Sequence, residues 1–164
     1  MTDTKVTLYW YVCGAERCRV KADRTRLEQS RSQRILWLLE ELNINYELKT
    51  FKRRSDRLAP EELKEVHPLG KSPVIGVQSA NTDKPLMLAE SGLITEYLCD
   101  HFNGERLVPK RYKDGKEGQV GGETEEWLRF RYFMHYAEGS LMPLLVMQLL
   151  MNSTFYPLNS PGHV

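Results

Sequence analysis

The chain has 164 residues, of which 41% are hydrophobic and 27% are charged, and its formal net charge at pH 7 is +1. This composition excludes a disordered chain and predicts one ordinary globular domain or two small ones. The near-neutral charge argues against nucleic acid as a partner, and the apolar run at 141–151 is too short for a membrane span. Because the cysteines are odd in number and no secretory signal is recognisable, we expect a cytoplasmic protein without a disulfide framework.

The first hundred residues alternate between strand and helix patterns. Segments with alternating or β-forming residues predict strands at 5–10, 44–51, 72–77 and 85–89. Segments with helical spacing of apolar residues predict helices at 31–43, 60–67 and 90–102. The order β-α-β-α-β-β-α predicts an α/β fold, with a mixed four-stranded sheet that carries helices on its faces.

The rest of the chain changes character and predicts a second region. Residues 105–121 are polar and rich in glycine, which is typical of a linker after a first domain at 1–104. Residues 122–164 begin with a helical apolar stripe, spaced alternately by three and four residues. Its last segment, NSTFYPLNSPGHV, has no periodicity. We therefore expect an incomplete all-α domain whose leucines form an exposed apolar patch, with poor solubility as the consequence.

Several short motifs, taken in order, resemble the glutathione S-transferases, most of all their fungal and bacterial members. SRSQR opens the first helix, LGKSPVI leads into the third strand, and AESG begins the next long helix. The resemblance covers about 5–10 and 27–151. It implies a thioredoxin-like N-terminal domain that binds glutathione and a helical C-terminal domain that binds a small hydrophobic electrophile. It further implies a homodimer that conjugates the glutathione thiolate to electrophiles in detoxification, without a metal.

The resemblance places the thiol-activating hydroxyl at Ser30, with Ser32 as the alternative. A purely structural role is also open, because Ser30 and Gln33 fit a capping box at a helix start. Lowering a thiol pKa from about 8.5 to below 7 requires roughly 2–3 kcal/mol. A hydrogen bond to a charged group contributes about 1.5–3 kcal/mol and a helix N-terminus about 0.3–1 kcal/mol. One serine at a helix start is therefore sufficient, without a metal or a general base.

Four residues around the third strand are implied to hold the peptide. Lys71 would bind the glycyl carboxylate, although a surface lysine is more often simply solvated. Ser72 and Pro73 would form a cis peptide bond, after which Val74 would pair through its backbone with the cysteinyl residue of glutathione. The structural alternative for Pro73 is an ordinary proline at the start of an edge strand.

Glu90 and Ser91 are implied to hold the γ-glutamyl end of glutathione. Ser91 and the helix N-terminus would bind the carboxylate, and Glu90 would bind the ammonium group. The alternative is a helix cap with an acidic first turn. On the later helix, Tyr132, His135 and Tyr136 are either packing residues or part of the electrophile pocket.

Residues 11–26 are surplus to the family pattern, because joining Trp10 to Leu27 would restore it. We favour a translated intron: Trp-Tyr-Val can be encoded with a GTATGT donor signal, and Lys-Ala-Asp with a CTGAC branch-like signal. The alternative is a tolerated surface loop, since long loops cost little closure entropy. Cys13 and Cys18 are spaced as neither a redox pair nor a good zinc half-site.

Two other functions remain open. The chain could be a non-catalytic glutathione-transferase-like module used for interaction or regulation, or an inactive truncated copy of the enzyme. A thiol reductase on the same scaffold is disfavoured, because it requires a cysteine where Ser30 stands.

Overall fold

The computed structural model describes residues 4–12, 31–52, 54 and 59–155. The chain divides into two compact units, Met1–Leu107 and Val108–Val164. We refer to the first as the sheet unit and to the second as the helical unit. Within the described ranges, no helix is both long and apolar enough to cross a membrane.

The sheet unit has the element order that the sequence predicts. The elements are β1 (Lys5–Val12), α1 (Ser32–Glu41), β2 (Tyr46–Lys52), α2 (Glu62–Val66), β3 (Val74–Gln78), β4 (Leu86–Ala89), α3 (Ser91–His101) and a 3₁₀ turn (Gly104–Arg106). The strands lie in the order β2-β1-β3-β4, with β1 parallel to β2 and antiparallel to β3, and β3 antiparallel to β4. The predicted mixed four-stranded sheet is confirmed.

Strand β1 is longer than the sequence predicts. Its register continues past Trp10, where Tyr11 and Val12 pair with Phe51 and Lys52 of β2. The surplus segment 11–26 therefore begins as a continuation of the strand. Its remaining residues, including Cys13 and Cys18, lie outside the described residues.

One hydrophobic core joins the sheet to two helices. Val6 and Leu8 of β1 point to the same face, because strand side chains alternate, and both are fully buried. They pack with α1 and α3, whose fully buried core residues are Ile35, Leu39, Ile94 and Leu98. In the 3₁₀ turn after α3, the backbone of Gly104 packs directly against Cys99 of the helix. A Cβ added at Gly104 would lie 2.3 Å from the Cα of Cys99, so a larger residue would separate the turn from the helix.

The helical unit contains α4 (Glu125–Tyr136), a π-helical segment (Ala137–Leu141) and α5 (Met142–Phe155). The predicted apolar stripe is half-buried at Trp127, Phe130, Met134 and Ala137 and exposed at Leu141, and no residue of α4 is fully buried. Helix α5 continues through Phe155, so four residues of the tail that lacks periodicity are helical. Residues 156–164 lie outside the described residues.

The segment expected to be a linker carries its own hydrogen bonds. Lys113 N–H donates to the Gly122 carbonyl, and Thr124 N–H donates to the Arg111 carbonyl, which closes a loop. Thr124 then caps α4, because its Oγ1 accepts from Trp127 N–H at 3.2 Å. The Arg111 guanidinium lies 4.7 Å from the centroid of the Trp127 ring. These contacts tie the loop to the first turn of α4.

Candidate functional site

Four elements of the sheet unit meet at one end of the sheet. Tyr9, near the carboxyl end of β1, pairs with Val74 at the start of β3, and Val74 pairs with Ala89 at the end of β4. Helix α3 begins at Ser91, two residues after Ala89. The Ser72–Pro73 peptide bond before β3 is cis, and we call this corner the cis-proline corner. The strand register brings it and the first turn of α3 to the same end of the sheet.

The first turn of α1 is attached to this corner by two serine hydroxyls. Ser72 Oγ donates to the Tyr9 carbonyl oxygen at 3.1 Å. Ser72 Oγ and Ser32 Oγ lie 2.6 Å apart, and because the Ser72 proton is directed at Tyr9, Ser32 is the donor in this pair. Ser32 is fully buried. This serine chain, Ser32–Ser72–Tyr9, connects α1, the residue before Pro73 and β1.

Of the two candidate serines in the SRSQR motif, the structure describes only Ser32. Ser32 uses its buried hydroxyl to hold Ser72, which is a structural task. Ser30 lies outside the described residues. Helix α1 begins at Ser32 with Arg31 in the N-cap position, where the capping box places Ser30. Helix boundaries of this kind shift by one or two residues, so the activating role of Ser30 stays a prediction.

The Ser72–Pro73 peptide bond is cis, which confirms that part of the prediction. The resemblance also implies that the backbone of Val74 pairs with glutathione, whereas the sheet register gives Val74 strand partners of its own. Val74 is buried and has a paired strand on each side, Tyr9 in β1 and Ala89 in β4. The strand pairing of β3 stops at Val74, so the backbone outside the sheet at this corner belongs to Lys71 and Ser72.

Lys71 is exposed and follows directly after a tight turn at residues 67–70. Gly70 N–H donates to the His67 carbonyl at 2.8 Å, and the backbone of Gly70 has a φ of +56°. An added Cβ at Gly70 would meet Lys64 Cγ at 2.9 Å, so both conformation and space require glycine there. The sequence HPLG, directly before the exposed Lys71, is the local pattern that indicates this turn.

Glu90 and Ser91 occupy the start of α3 in contrasting ways. Glu90 has a φ of +71°, a left-handed conformation that is costly for a residue with a Cβ. Its exposed side chain makes no cap hydrogen bond, so the cap alternative does not explain it. Ser91 is buried, and its carbonyl accepts from Thr95 Oγ1 at 2.8 Å. A strained acidic residue therefore stands exposed beside a buried serine at a helix N-terminus.

A separate cavity lies within the helical unit. It has a volume of about 480 Å³ and is lined by the three predicted residues and two others, namely Tyr132, His135, Tyr136, Gly139 and Ser140. The rings of Tyr132 and Tyr136 are stacked, with centroids 5.6 Å apart. Gly139 and Ser140 belong to the π-helical segment, and the sequence signal for them is a glycine-serine pair inside a helical run. Short π-helical segments are frequent at functional sites.

The described residues offer little for metal ligation or thiol chemistry. Among the described residues, no three His, Cys, Asp or Glu side chains cluster closely enough to hold a metal ion. Cys99 is buried in α3, and burial together with the nearby Asp100 carboxylate raises the pKa of its thiol. A buried thiol of raised pKa is a poor nucleophile, so Cys99 is a packing residue.

Comparisons with known proteins give this arrangement a family context. Residues 30–101 match the family model described as "Glutathione S-transferase, N-terminal domain". The chain is 37% identical over 126 residues to "Glutathione S-transferase 1" of Saccharomyces cerevisiae. A solved glutathione S-transferase from Actinobacillus pleuropneumoniae is 30% identical, with a TM-score of 0.62 over 90% of this chain.

Other neighbours support the fold alone. A glutathione transferase family member from Pseudomonas fluorescens, solved with two glutathione molecules bound, has a TM-score of 0.58 and 20% identity over 95% of this chain. The chain covers 54% and 55% of the two solved structures. It spans about half the length of the curated relatives that it matches, 49% of the Saccharomyces protein and 47% of a Schizosaccharomyces pombe relative. These relatives and neighbours are thus about twice as long as the stretch that matches this chain.

Proposed function

Because residues 30–101 form a glutathione S-transferase N-terminal domain, we propose that this chain binds glutathione and conjugates its thiolate to hydrophobic electrophiles. The observation that carries the proposal is the convergence at one end of the sheet. There the cis-proline corner contacts the first turn of α1 through Ser72 and lies beside the start of α3 through the pairing of Val74 with Ala89.

The proposed chemistry needs one activated sulfur. Ser30, just before α1, donates a hydrogen bond to the sulfur and favours the thiolate, while the thiol proton leaves to solvent. The thiolate attacks an electrophilic carbon, a sulfur–carbon bond forms, and the leaving group departs with its electron pair. Ser32 is not needed for this step, because its hydroxyl holds Ser72.

The peptide is proposed to lie across the cis-proline corner. The unpaired stretch before β3 supports a backbone contact at Ser72 rather than at Val74, with Pro73 and Val74 fixing the corner. The exposed Lys71 would bind the glycyl carboxylate as an opposite charge. At the other end, the buried Ser91 and the start of α3 would bind the γ-glutamyl carboxylate. The exposed, strained Glu90 would bind the ammonium group.

The electrophile is proposed to bind in the cavity on α4. The stacked rings of Tyr132 and Tyr136 offer flat apolar surface, and the His135 ring and the Ser140 hydroxyl offer hydrogen bonds at its border. A planar hydrophobic molecule carrying a polar substituent fits this lining. A glutathione transferase from Trametes versicolor, which shares this fold, was solved with 2,4-dihydroxybenzophenone, a molecule of that kind.

Homodimer formation, a role in detoxification and a cytoplasmic location are parts of the same proposal. They rest on the resemblance of the sheet unit to glutathione transferases. Sedimentation measurements on the full chain would test self-association.

The test is conjugation of a generic aromatic halide to glutathione by the full chain and by Ser30→Ala. We expect kcat/KM of Ser30→Ala to fall roughly 10- to 150-fold, the value of one hydrogen bond to a charged group. Ser32→Ala tests the alternative serine, and it should lower kcat/KM less than Ser30→Ala at temperatures below its unfolding, because Ser32 only holds Ser72. Full activity of Ser30→Ala, or loss of activity only in Ser32→Ala, would reject Ser30 as the activating residue.

A binding module without turnover is the second candidate. It is favoured by the division of the chain, because the proposed glutathione contacts all lie in the sheet unit, which has its own hydrophobic core. Retention on immobilised glutathione without conjugation, unchanged by Ser30→Ala, would support this candidate over the enzyme.

A further inference from the structure

One buried donor at the same end of the sheet has no role in the scheme above. Trp10 is 8% exposed, and its indole Nε1 is fully covered. Among the described side chains, this nitrogen is the one buried polar atom that has no hydrogen-bond partner. A buried donor without an acceptor destabilises a fold, so native structures rarely keep one without a reason. A phenylalanine at position 10 would bury an aromatic ring without leaving a donor unpaired.

The strand pattern locates this side chain. Because residues two apart on a strand share a face, Trp10 lies on the same face of β1 as Leu8, which packs in the core with Ile35 and Leu39 of α1. Tyr9 pairs with Val74 in an antiparallel register, so the next residue of β1 lies beside Pro73. Trp10 is therefore at the end of the sheet where α1 begins and the cis-proline corner lies.

The nearby serine chain does not use this donor. Ser72 donates to the Tyr9 carbonyl and receives the hydrogen bond of Ser32, so this chain is complete without the indole. An indole N–H can only donate, which restricts its partner to an acceptor. A sulfur anion seated at this corner would be such an acceptor, and a charge-assisted bond is the strongest that a neutral donor can make.

We propose that Trp10 donates from Nε1 to the sulfur of glutathione bound at the cis-proline corner, and so is a second residue that stabilises the thiolate. This inference rests on the proposed glutathione site. The thiol proton leaves to solvent, and the indole keeps its own proton throughout. The contact requires a shift of the atoms that cover Nε1, and the indole gives up no hydrogen bond when it forms.

The first experiment compares Trp10→Phe with Trp37→Phe. Trp37 is exposed, and its N–H donates to Glu41 at 3.0 Å on the outer face of α1, so its replacement is a matched loss of one indole N–H. At pH 7 the thiolate absorbance of bound glutathione should fall about threefold to tenfold in Trp10→Phe, with a similar loss in kcat/KM. The stability of Trp10→Phe without glutathione should be unchanged or higher. Trp37→Phe should retain the thiolate signal.

Two results would overturn the inference. One is an unchanged thiolate absorbance in Trp10→Phe, and the other is a loss that Trp37→Phe shares. If the wild-type chain itself fails to bind glutathione, the proposed function fails, and this outcome is distinguishable because it appears before any variant is compared.

A second experiment does not depend on the folding of Trp10→Phe. The wild-type chain has three tryptophans, whose indole N–H signals can be assigned with Trp37→Phe and Trp127→Phe. The Trp10 signal should shift with glutathione and remain near its original position with S-methylglutathione, whose sulfur cannot ionise. Equal shifts with both peptides would overturn the proposed bond to sulfur.

Discussion

The sheet unit and the helical unit differ in how they treat their apolar side chains. Every residue of the buried hydrophobic core that the structure describes belongs to the sheet unit. In the helical unit no residue of α4 is fully buried, and α5 exposes leucines and methionines on several sides, with Leu144 at 71%. A helix that is apolar on all sides is normally buried against other parts of a protein. The proposed glutathione residues therefore lie on the unit with its own core, whereas the proposed electrophile cavity lies on exposed helices.

The largest expected effect comes from truncating one leucine in each unit. Leu39→Ala removes a fully buried side chain from the core between α1 and the sheet, and should lower the free energy of unfolding by about 2–5 kcal/mol. Leu144→Ala removes an exposed side chain and should change it by less than about 0.5 kcal/mol. Urea unfolding measures both. Equal losses would show that α5 is as well packed as the core, which would remove the contrast between the units.

A smaller effect is expected from the serine chain. Ser32→Ala removes the donor to Ser72 from a fully buried position, and should cost about 1–3 kcal/mol of unfolding free energy. The exposed Ser140 of the helical unit is the control, and Ser140→Ala should be nearly neutral. If Ser32→Ala were as stable as the wild-type chain, the link between α1 and the cis-proline corner would contribute nothing to the fold.

The smallest effect is confined to alkaline pH. Partial burial, followed by the hydrogen bond that Tyr46 OH donates to Glu40 at 2.7 Å, raises the pKa of Tyr46 from 10.0 to about 12. The unfolded chain therefore loses this proton first as the pH rises. The stabilisation is complete below pH 10 and is lost as the pH approaches about 12.

Tyr46→Phe isolates this contribution. Its unfolding free energy should fall less steeply between about pH 10 and pH 12 than that of the wild-type chain, as measured by urea unfolding at a series of pH values. Identical slopes for the two chains would show that the hydroxyl titrates alike in the folded and unfolded states.

The sequence predicts the element order of the sheet unit well, because its signals are local. Alternation in β1 and helical spacing in α1 and α3 each identify an element and the face it buries. The extension of β1 to Val12 was missed, because pairing with Lys52 depends on a partner strand rather than on local pattern. Helix α5 similarly runs past the last apolar residue of its pattern, through Phe155.

The geometry of the site was less accessible. The contact between Ser32 and Ser72 joins residues forty positions apart, and no periodicity encodes it. The positive φ of Glu90 cannot be predicted from the residue type, since residues with a Cβ seldom adopt a left-handed conformation. The pairing of Val74 on both sides follows only once the strand order is known. Family motifs identified the corner, and three-dimensional packing decided which atoms remain available there.

We propose that Ser30, two residues before α1 in the sequence, keeps the sulfur of bound glutathione ionised. The most direct test of this proposal is an ultraviolet titration of the thiolate in the complex of glutathione with the full chain. We expect the bound thiol to ionise with a pKa about 1.5–2 units below the usual value near 8.5, and Ser30→Ala to raise this pKa most of the way back. A bound thiol that titrates near 8.5 in the wild-type chain, or alike in both chains, would contradict it.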